Sequence, residues 1–268
     1  MLDKEAEHWD SVARDWSRKS YANEILAEHK RNTYLGLIAG WADVAVSRKI
    51  LKTDLFAEAF GPEQYLFYLA PPEAIVGIDI ARNIVKQAKR QAADCDADSS
   101  RYLCCDVKHL PFIDNSFDLI ISDSTLDHFP TEQDIVDSIK ELGRVLRPGG
   151  SLILTIDNKS NLTYPPFIMF RLWMRLKLAP YYIGRTLSRS KMKQTIEDSG
   201  MYIAESTTIF HYPHPDGLVR LVECFVRNLG RGRLDGFIKK VLSFTDWLGE
   251  RRSRYFTGRY LAIKAIKK

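Results

Sequence analysis

The chain has 268 residues, 45% hydrophobic and 27% charged, with 39 Lys+Arg against 34 Asp+Glu for a net charge of +5. That length suits one α/β domain with insertions, and the apolar content excludes a globally disordered chain. Cys95, Cys104, Cys105 and Cys224 form no Cys-x-x-Cys pair and have no His partner at zinc-ligand spacing, so no metal site is expected and a reducing cytoplasm suits the chain. The start, Met1-Leu2-Asp3-Lys4-Glu5, lacks an apolar core and predicts no secretory signal. No apolar run reaches the roughly 18 residues of a membrane-spanning helix.

In chain order, periodicity predicts helices over 4–18 and 23–39, the first with Trp9, Val12, Ala13 and Trp16 on one face. Strands follow near 49–53, 75–79, 101–105 and 117–122. Between them fall a helix near 62–69, opened by Pro62 at a first-turn position, and another near 82–93. A helix over 131–146 takes Thr131 as its cap and stops before Pro148-Gly149-Gly150; a fifth strand then runs over Ser151–Ile156. A large apolar helix is expected over 164–179, with Arg171 and Arg175 one turn apart. Ser188 caps a helix that Gly200 stops, and strands over 201–210 and 256–266 end the pattern. The connection 211–255 between those two strands carries amphipathic segments at 218–227 and 237–242. Alternating strands and helices predict a parallel, doubly wound sheet.

The densest chemistry lies in Tyr102–Phe129, read as YLCCDVKHLPFIDNSFDLIISDSTLDHF. A short strand ends in Asp106, two turns follow, and the nearly all-apolar strand 117–122 runs into Asp123, Ser124, Thr125, Asp127 and His128. Ligands of open α/β sheets sit beyond the carboxyl ends of the strands, so these polar ends point to a small-molecule site.

Asp106 through Asp118 fits D-x-x-x-LPF-x-(D/N)-x-SFD, and the chain here resembles the class I S-adenosylmethionine-dependent methyltransferases, in particular their small-molecule group. Val76-Gly77-Ile78-Asp79-Ile80 is similar to that family's second strand with its ribose-binding acid. Glu141–Gly150 is similar to the helix and turn before the fifth strand. The resemblance covers 48–157 well and implies a Rossmann-like seven-stranded sheet whose last strand is antiparallel. It implies S-adenosylmethionine as cofactor, with Asp79 and Ile80 at the ribose and Asp106 and Val107 at the adenine. In this reading 1–47 forms helices over the cleft and 48–158 the cofactor-binding core. Residues 159–268 then complete the sheet and carry a helical cap built from the insertions 159–187 and 211–255.

The family's first strand normally closes with a Gly-rich loop that approaches the methionine part of the cofactor. Here that stretch reads Ile50-Leu51-Lys52-Thr53-Asp54-Leu55-Phe56-Ala57-Glu58-Ala59, with Asp54, Phe56 and Glu58 where glycines are expected. Glycine permits positive φ and close backbone approach, so a chain without it takes another path or does not bind there. Two readings stay open. In one, Asp54, Leu55 and Phe56 form a rebuilt loop and Asp54 receives the cofactor's ammonium group, although Asp54 serves equally as a helix-capping acid. In the other, the protein is a non-catalytic methyltransferase-like binding protein.

Asp123 and His128 fall where acceptor and methyl group would meet, Asp123 also within reach of the cofactor. His128 is the natural base if a proton must leave, since its unperturbed pKa lies near neutrality, and a structural role competes with that one. Tyr164, His211 and His214 are cap-borne alternatives. Residues 1–158 carry 18 Lys+Arg against 26 Asp+Glu, hence −8, and 159–268 carry 21 against 8, hence +13. A basic cap with interleaved apolar side chains suits a hydrophobic small-molecule acceptor with an anionic head, and equally a peripheral contact with an anionic membrane. The basic residues match no nucleic-acid-binding module.

Overall fold

A computed structural model describes residues 2–16, 24–95, 97, 99–162, 164, 184–211 and 231–268. Seven strands form one sheet: β1 (Ile50–Lys52), β2 (Ile75–Asp79), β3 (Arg101–Cys104), β4 (Phe117–Asp123), β5 (Leu146–Asp157), β6 (Met201–His211) and β7 (Gly258–Lys267). Their order is β3-β2-β1-β4-β5-β7-β6. The first five are parallel, and β7 runs antiparallel to both β5 and β6. This is the doubly wound sheet with an antiparallel last strand that the strand–helix alternation and the resemblance implied.

Every residue of β1 and β2 is buried, which is why these strands read as apolar runs rather than alternating ones. Side chains still alternate between faces. Leu51, Val76, Ile78, Ile120, Leu152 and Leu154 face one core with Ile135, Ile139, Leu142, Met192 and Ile196. Ile50, Ile75, Leu119, Ile121 and Ile153 face the other with Ile38, Ile84, Val85 and Ala88.

Nine α-helices are described: α1 (Leu2–Trp16), α2 (Glu24–Trp41), α3 (Phe56–Phe60), α4 (Leu66–Leu69), α5 (Arg82–Asp94), α6 (Glu132–Val145), α7 (Arg189–Asp198), α8 (Arg231–Gly249) and α9 (Arg254–Thr257). Thr131 caps α6 in a reciprocal box with Asp134, and Ser188 caps α7 by accepting from the Lys191 N–H. Gly200 ends that unit at φ 76°, a conformation glycine adopts without penalty.

Two expectations fail locally. The helix near 62–69 is instead the pair α3 and α4, separated by a turn in which the Gln64 N–H donates to the Gly61 carbonyl at 3.3 Å. Pro62 disfavours helical backbone at Gly61, which is extended (φ −146°, ψ 163°), while the Asp54 side chain starts a helix upstream. The fifth strand begins at Leu146, because Leu146 pairs with Phe117 before the register shifts to Ser151 opposite Leu119. In the second insertion α8 packs Ile238 and Leu242 against Ile25 and Leu26 of α2. Apart from Tyr164, the helix expected over 164–179 lies outside the described residues, as does the segment 218–227.

Candidate functional site

The sheet order reverses between β1 and β4, and beyond the carboxyl ends there a cleft of about 360 Å³ opens. The loop after β1 contributes Thr53, Asp54 and Phe56; the end of β2 contributes Asp79 and Ile80; the turn after β3 contributes Cys105, Asp106 and Val107. Thr125, His128 and Phe129 close it beyond β4, and Glu5, His8 and Trp9 of α1 lie against it. The Asp10 carboxylate accepts the Asn83 N–H at 2.8 Å, fastening α1 to the first turn of α5.

Asp79 is buried, and its two oxygens accept the Leu55 N–H at 3.2 Å and the Ala81 N–H at 2.8 Å. Burial and then the neighbouring Asp54 push its pKa up to about 8. Asp106 accepts the Lys108 N–H at 2.9 Å through Oδ1. Its Oδ2 is buried without a hydrogen-bond donor, the Lys108 ammonium standing 3.7 Å away. Asp54, one residue before the Leu55 N-cap of α3, accepts the Phe56 N–H at 2.9 Å and also lines the cleft.

The polar cluster after β4 divides among partners. Asp123 pairs with the Lys52 ammonium at 3.1 Å, and burial pushes its pKa up to about 7 against the lowering effect of Lys52. Ser124 donates to both oxygens of Asp127, at 2.9 and 3.2 Å. Thr125 shares a hydrogen bond with the buried Thr53 hydroxyl at 2.9 Å. The His128 ring meets the edge of Trp9 with centroids 4.7 Å apart and stands 3.9 Å from Asp127.

Of the residues expected from the sequence, Asp54, Phe56, Asp79, Ile80, Asp106, Val107 and His128 converge on this cleft. Leu55 does not line it: its side chain is buried in the core, and only its N–H reaches Asp79. Asp123 also stands outside the lining. His211 lies elsewhere, its Nδ1 2.9 Å from the Thr257 hydroxyl, and burial lowers its pKa. Tyr164 is not among the lining residues and His214 lies outside the described residues. Among the described residues no cluster of His, Cys, Asp and Glu could hold a metal ion.

Sequence reasoning missed Lys52 and Glu58. Both side chains are fully buried, with the ammonium 3.0 Å from Glu58 Oε2. The signal was present: a lysine inside a strand buried on both faces must bring counter-charges with it. Glu5, Cys105 and Thr53, the partner of the expected Thr125, were missed for a different reason. They meet only when α1 and three loop ends are brought together.

A family model described as "Methyltransferase domain" matches residues 59–154. A probable tRNA methyltransferase 9B of Homo sapiens is 40% identical over 81 residues, covering 30% of this chain and 16% of that protein. A demethylmenaquinone methyltransferase of Staphylococcus saprophyticus is 28% identical over 148 residues, 55% of this chain and 56% of that protein. The matches thus span about half or less of those curated relatives. In structure, phosphoethanolamine N-methyltransferase 2 of Haemonchus contortus, solved with phosphomonomethylethanolamine and S-adenosylhomocysteine, aligns with a TM-score of 0.57 at 16% identity. That alignment covers 88% of this chain and 52% of the other. The domain match, the strand order and the position of the cleft agree: residues 59–154 match a methyltransferase domain, and the sheet that holds them has the class I S-adenosylmethionine-dependent methyltransferase fold.

Proposed function

We propose that the chain is an S-adenosylmethionine-dependent methyltransferase acting on a small, largely hydrophobic acceptor. The observation that carries this reading is the pairing of Asp79 and Asp106 in one cleft, with Asp106 Oδ2 buried and lacking a donor. A buried acceptor with no hydrogen bond, only the Lys108 ammonium at 3.7 Å, is costly, and an adenine amino group would satisfy it. Asp79 keeps acceptor capacity beyond its two backbone partners, enough for ribose hydroxyls. Thr53, Asp54 and Phe56 would then flank the amino-acid tail, with Asp54 receiving the ammonium. The cofactor supplies an electrophilic methyl group, leaving the protein to position the acceptor and exclude water. Trp9 and His8 would serve the exclusion, and His128 is placed to take a proton where the acceptor must lose one.

A hydrophobic acceptor is supported by the apolar contribution of Trp9, Phe56, Ile80, Ile84 and Phe129 to the cleft. It agrees with the demethylmenaquinone named for the staphylococcal relative. Peripheral contact with an anionic membrane is part of the same proposal, since α8 exposes Phe237, Phe244 and Trp247 beside Lys239, Lys240 and Arg251. The glycine-free loop favours one other reading, a non-catalytic binding protein. Titration calorimetry with S-adenosylmethionine and S-adenosylhomocysteine tests both. The enzyme reading expects both to bind and, with acceptors of the quinone class, methyl transfer; no heat from either nucleoside rejects it.

A further inference from the structure

The loop after β1 lacks every expected glycine, yet none of its residues has positive φ; among the described non-glycine residues only Asn115, Ser124 and Phe210 do. Side chains engage its backbone instead. The Lys52 ammonium donates to the Asp54 carbonyl at 2.6 Å, Asp79 accepts the Leu55 N–H, and Asp54 accepts the Phe56 N–H. Lys52 is fully buried, with Glu58 Oε2 at 3.0 Å, Asp123 Oδ1 at 3.1 Å and the Tyr65 ring 5.1 Å from the ammonium.

An ammonium in such a place is tolerated only when its charge and its donors are all matched. Here one cation joins four parts of the fold: its own strand, the loop carbonyl, the first helix after the loop and the end of β4. Burial opposes the charged form, but Asp123 and Glu58 outweigh it and hold the Lys52 pKa above its ordinary value. The ammonium therefore stays charged across the working pH range and acts as a permanent pin.

We propose that Lys52 is a positioning residue for the amino-acid tail of the cofactor. Held between Glu58 and Asp123, it fixes the Asp54 peptide, and with it the carboxylate that faces the cleft, in the place a Gly-rich backbone would otherwise take. This rests on the cofactor reading above. Lys52 itself does not line the cleft, so it acts through Asp54.

The test uses the full chain and two probes, S-adenosylmethionine and 5′-methylthioadenosine, which keeps the nucleoside and lacks the amino-acid tail. The double variant Lys52→Met/Glu58→Gln removes one buried charge of each sign and preserves volume, so it is the form best suited to fold. With circular dichroism confirming the fold, calorimetry should show S-adenosylmethionine weakened about tenfold or more, the scale of a lost charge-assisted hydrogen bond. Methylthioadenosine affinity should stay within about twofold, since Asp79 and Asp106 are untouched. Equal losses for both probes, or no loss for either, would overturn the proposal. Wild-type protein that binds neither probe would reject the cofactor reading itself, a result separable from any behaviour of the variant. Should the double variant not fold, amide exchange on the free wild-type chain decides. Protected amides at 54–58 before any ligand is added support the pin, and exchange as fast as an open chain overturns it.

Discussion

Asp79 serves two demands that pull in opposite directions. Its oxygens hold the Leu55 and Ala81 N–H groups, which favours the carboxylate, while burial and Asp54 push its pKa up to about 8. Because the folded value lies above the ordinary one, the native state keeps a proton that the unfolded chain has released between roughly pH 4 and pH 8. Stability should therefore decline as pH rises through that window, by up to about 1.4 kcal/mol per pH unit for this one group. Asp123 and Asp157, both raised to about 7 mainly by burial, act in the same sense. The melting temperature is expected to fall between pH 5 and pH 8, with a shallower slope in Asp79→Asn, about one group's share. Differential scanning fluorimetry across that range checks this; equal slopes in the two proteins would remove Asp79 as a source. Asp79→Asn should also weaken adenosine ligands by roughly 1–3 kcal/mol, because the amide nitrogen, unlike a carboxyl oxygen, cannot accept from a ribose hydroxyl.

Helix α1 closes the cleft from above through three side chains, and one aromatic contact, Trp9 on His128, joins it to the loop after β4. Edge-to-face pairs of this kind contribute about 0.5–1.5 kcal/mol beyond their buried area. Trp9→Ala should accordingly speed cofactor release roughly 3- to 10-fold, together with some loss of stability, because Trp9 also packs against the core that holds Ile84 and Ala88. Stopped-flow displacement measures the rate, and an unchanged rate would show that α1 does not act as a lid. A second element works from the opposite side. The 184–187 segment packs on the loop carrying His128 so closely that a Cβ on Gly184 would lie 2.5 Å from the His128 carbonyl carbon. The Gly184 N–H also donates to the Asp127 carbonyl at 3.0 Å. The position of His128 is thus set by two elements distant in sequence, one on each side.

Charge is divided across the molecule, and so is its apolar surface. Residues 159–268 carry 21 Lys+Arg against 8 Asp+Glu. Within that part Phe244 and Trp247 stack with centroids 5.9 Å apart and remain 49% and 46% exposed, with Arg251 over the Trp247 ring. Aromatic side chains beside basic ones suit the headgroup region of an anionic bilayer, each nearby cation adding about 1 kcal/mol. Co-sedimentation with phosphatidylserine vesicles is expected at low salt and reduced at high salt, because screening shortens the attraction to about 3 Å at 1 M. Phe244→Ser/Trp247→Ser should lower binding at both salt concentrations, whereas no co-sedimentation at low salt would reject the membrane contact. No helix among the described residues is long and apolar enough to cross a membrane.

Apolar runs bounded by turn residues were legible one strand at a time, because a parallel strand covered on both faces must be apolar throughout. That property marks β2 and β4 within a residue or so of their observed limits. Asp79 was legible for a related reason, since an acid that ends such a run falls at the carboxyl edge where ligands gather, and Asp106 because it follows the next strand in the D-x-x-x-LPF signature. Thr131 and Ser188 were legible because a cap answers only to its own first turn. The loop after β1 was not. Its path depends on Lys52 meeting Asp123, a residue 71 positions later on the adjacent strand, and no local pattern encodes that ion pair. The same holds for Asp123 itself, which ends β4 as expected but is engaged by Lys52 rather than lining the cleft. Buried charges are arranged by whichever partners the whole fold brings within reach, so their roles become visible only once the strands lie side by side.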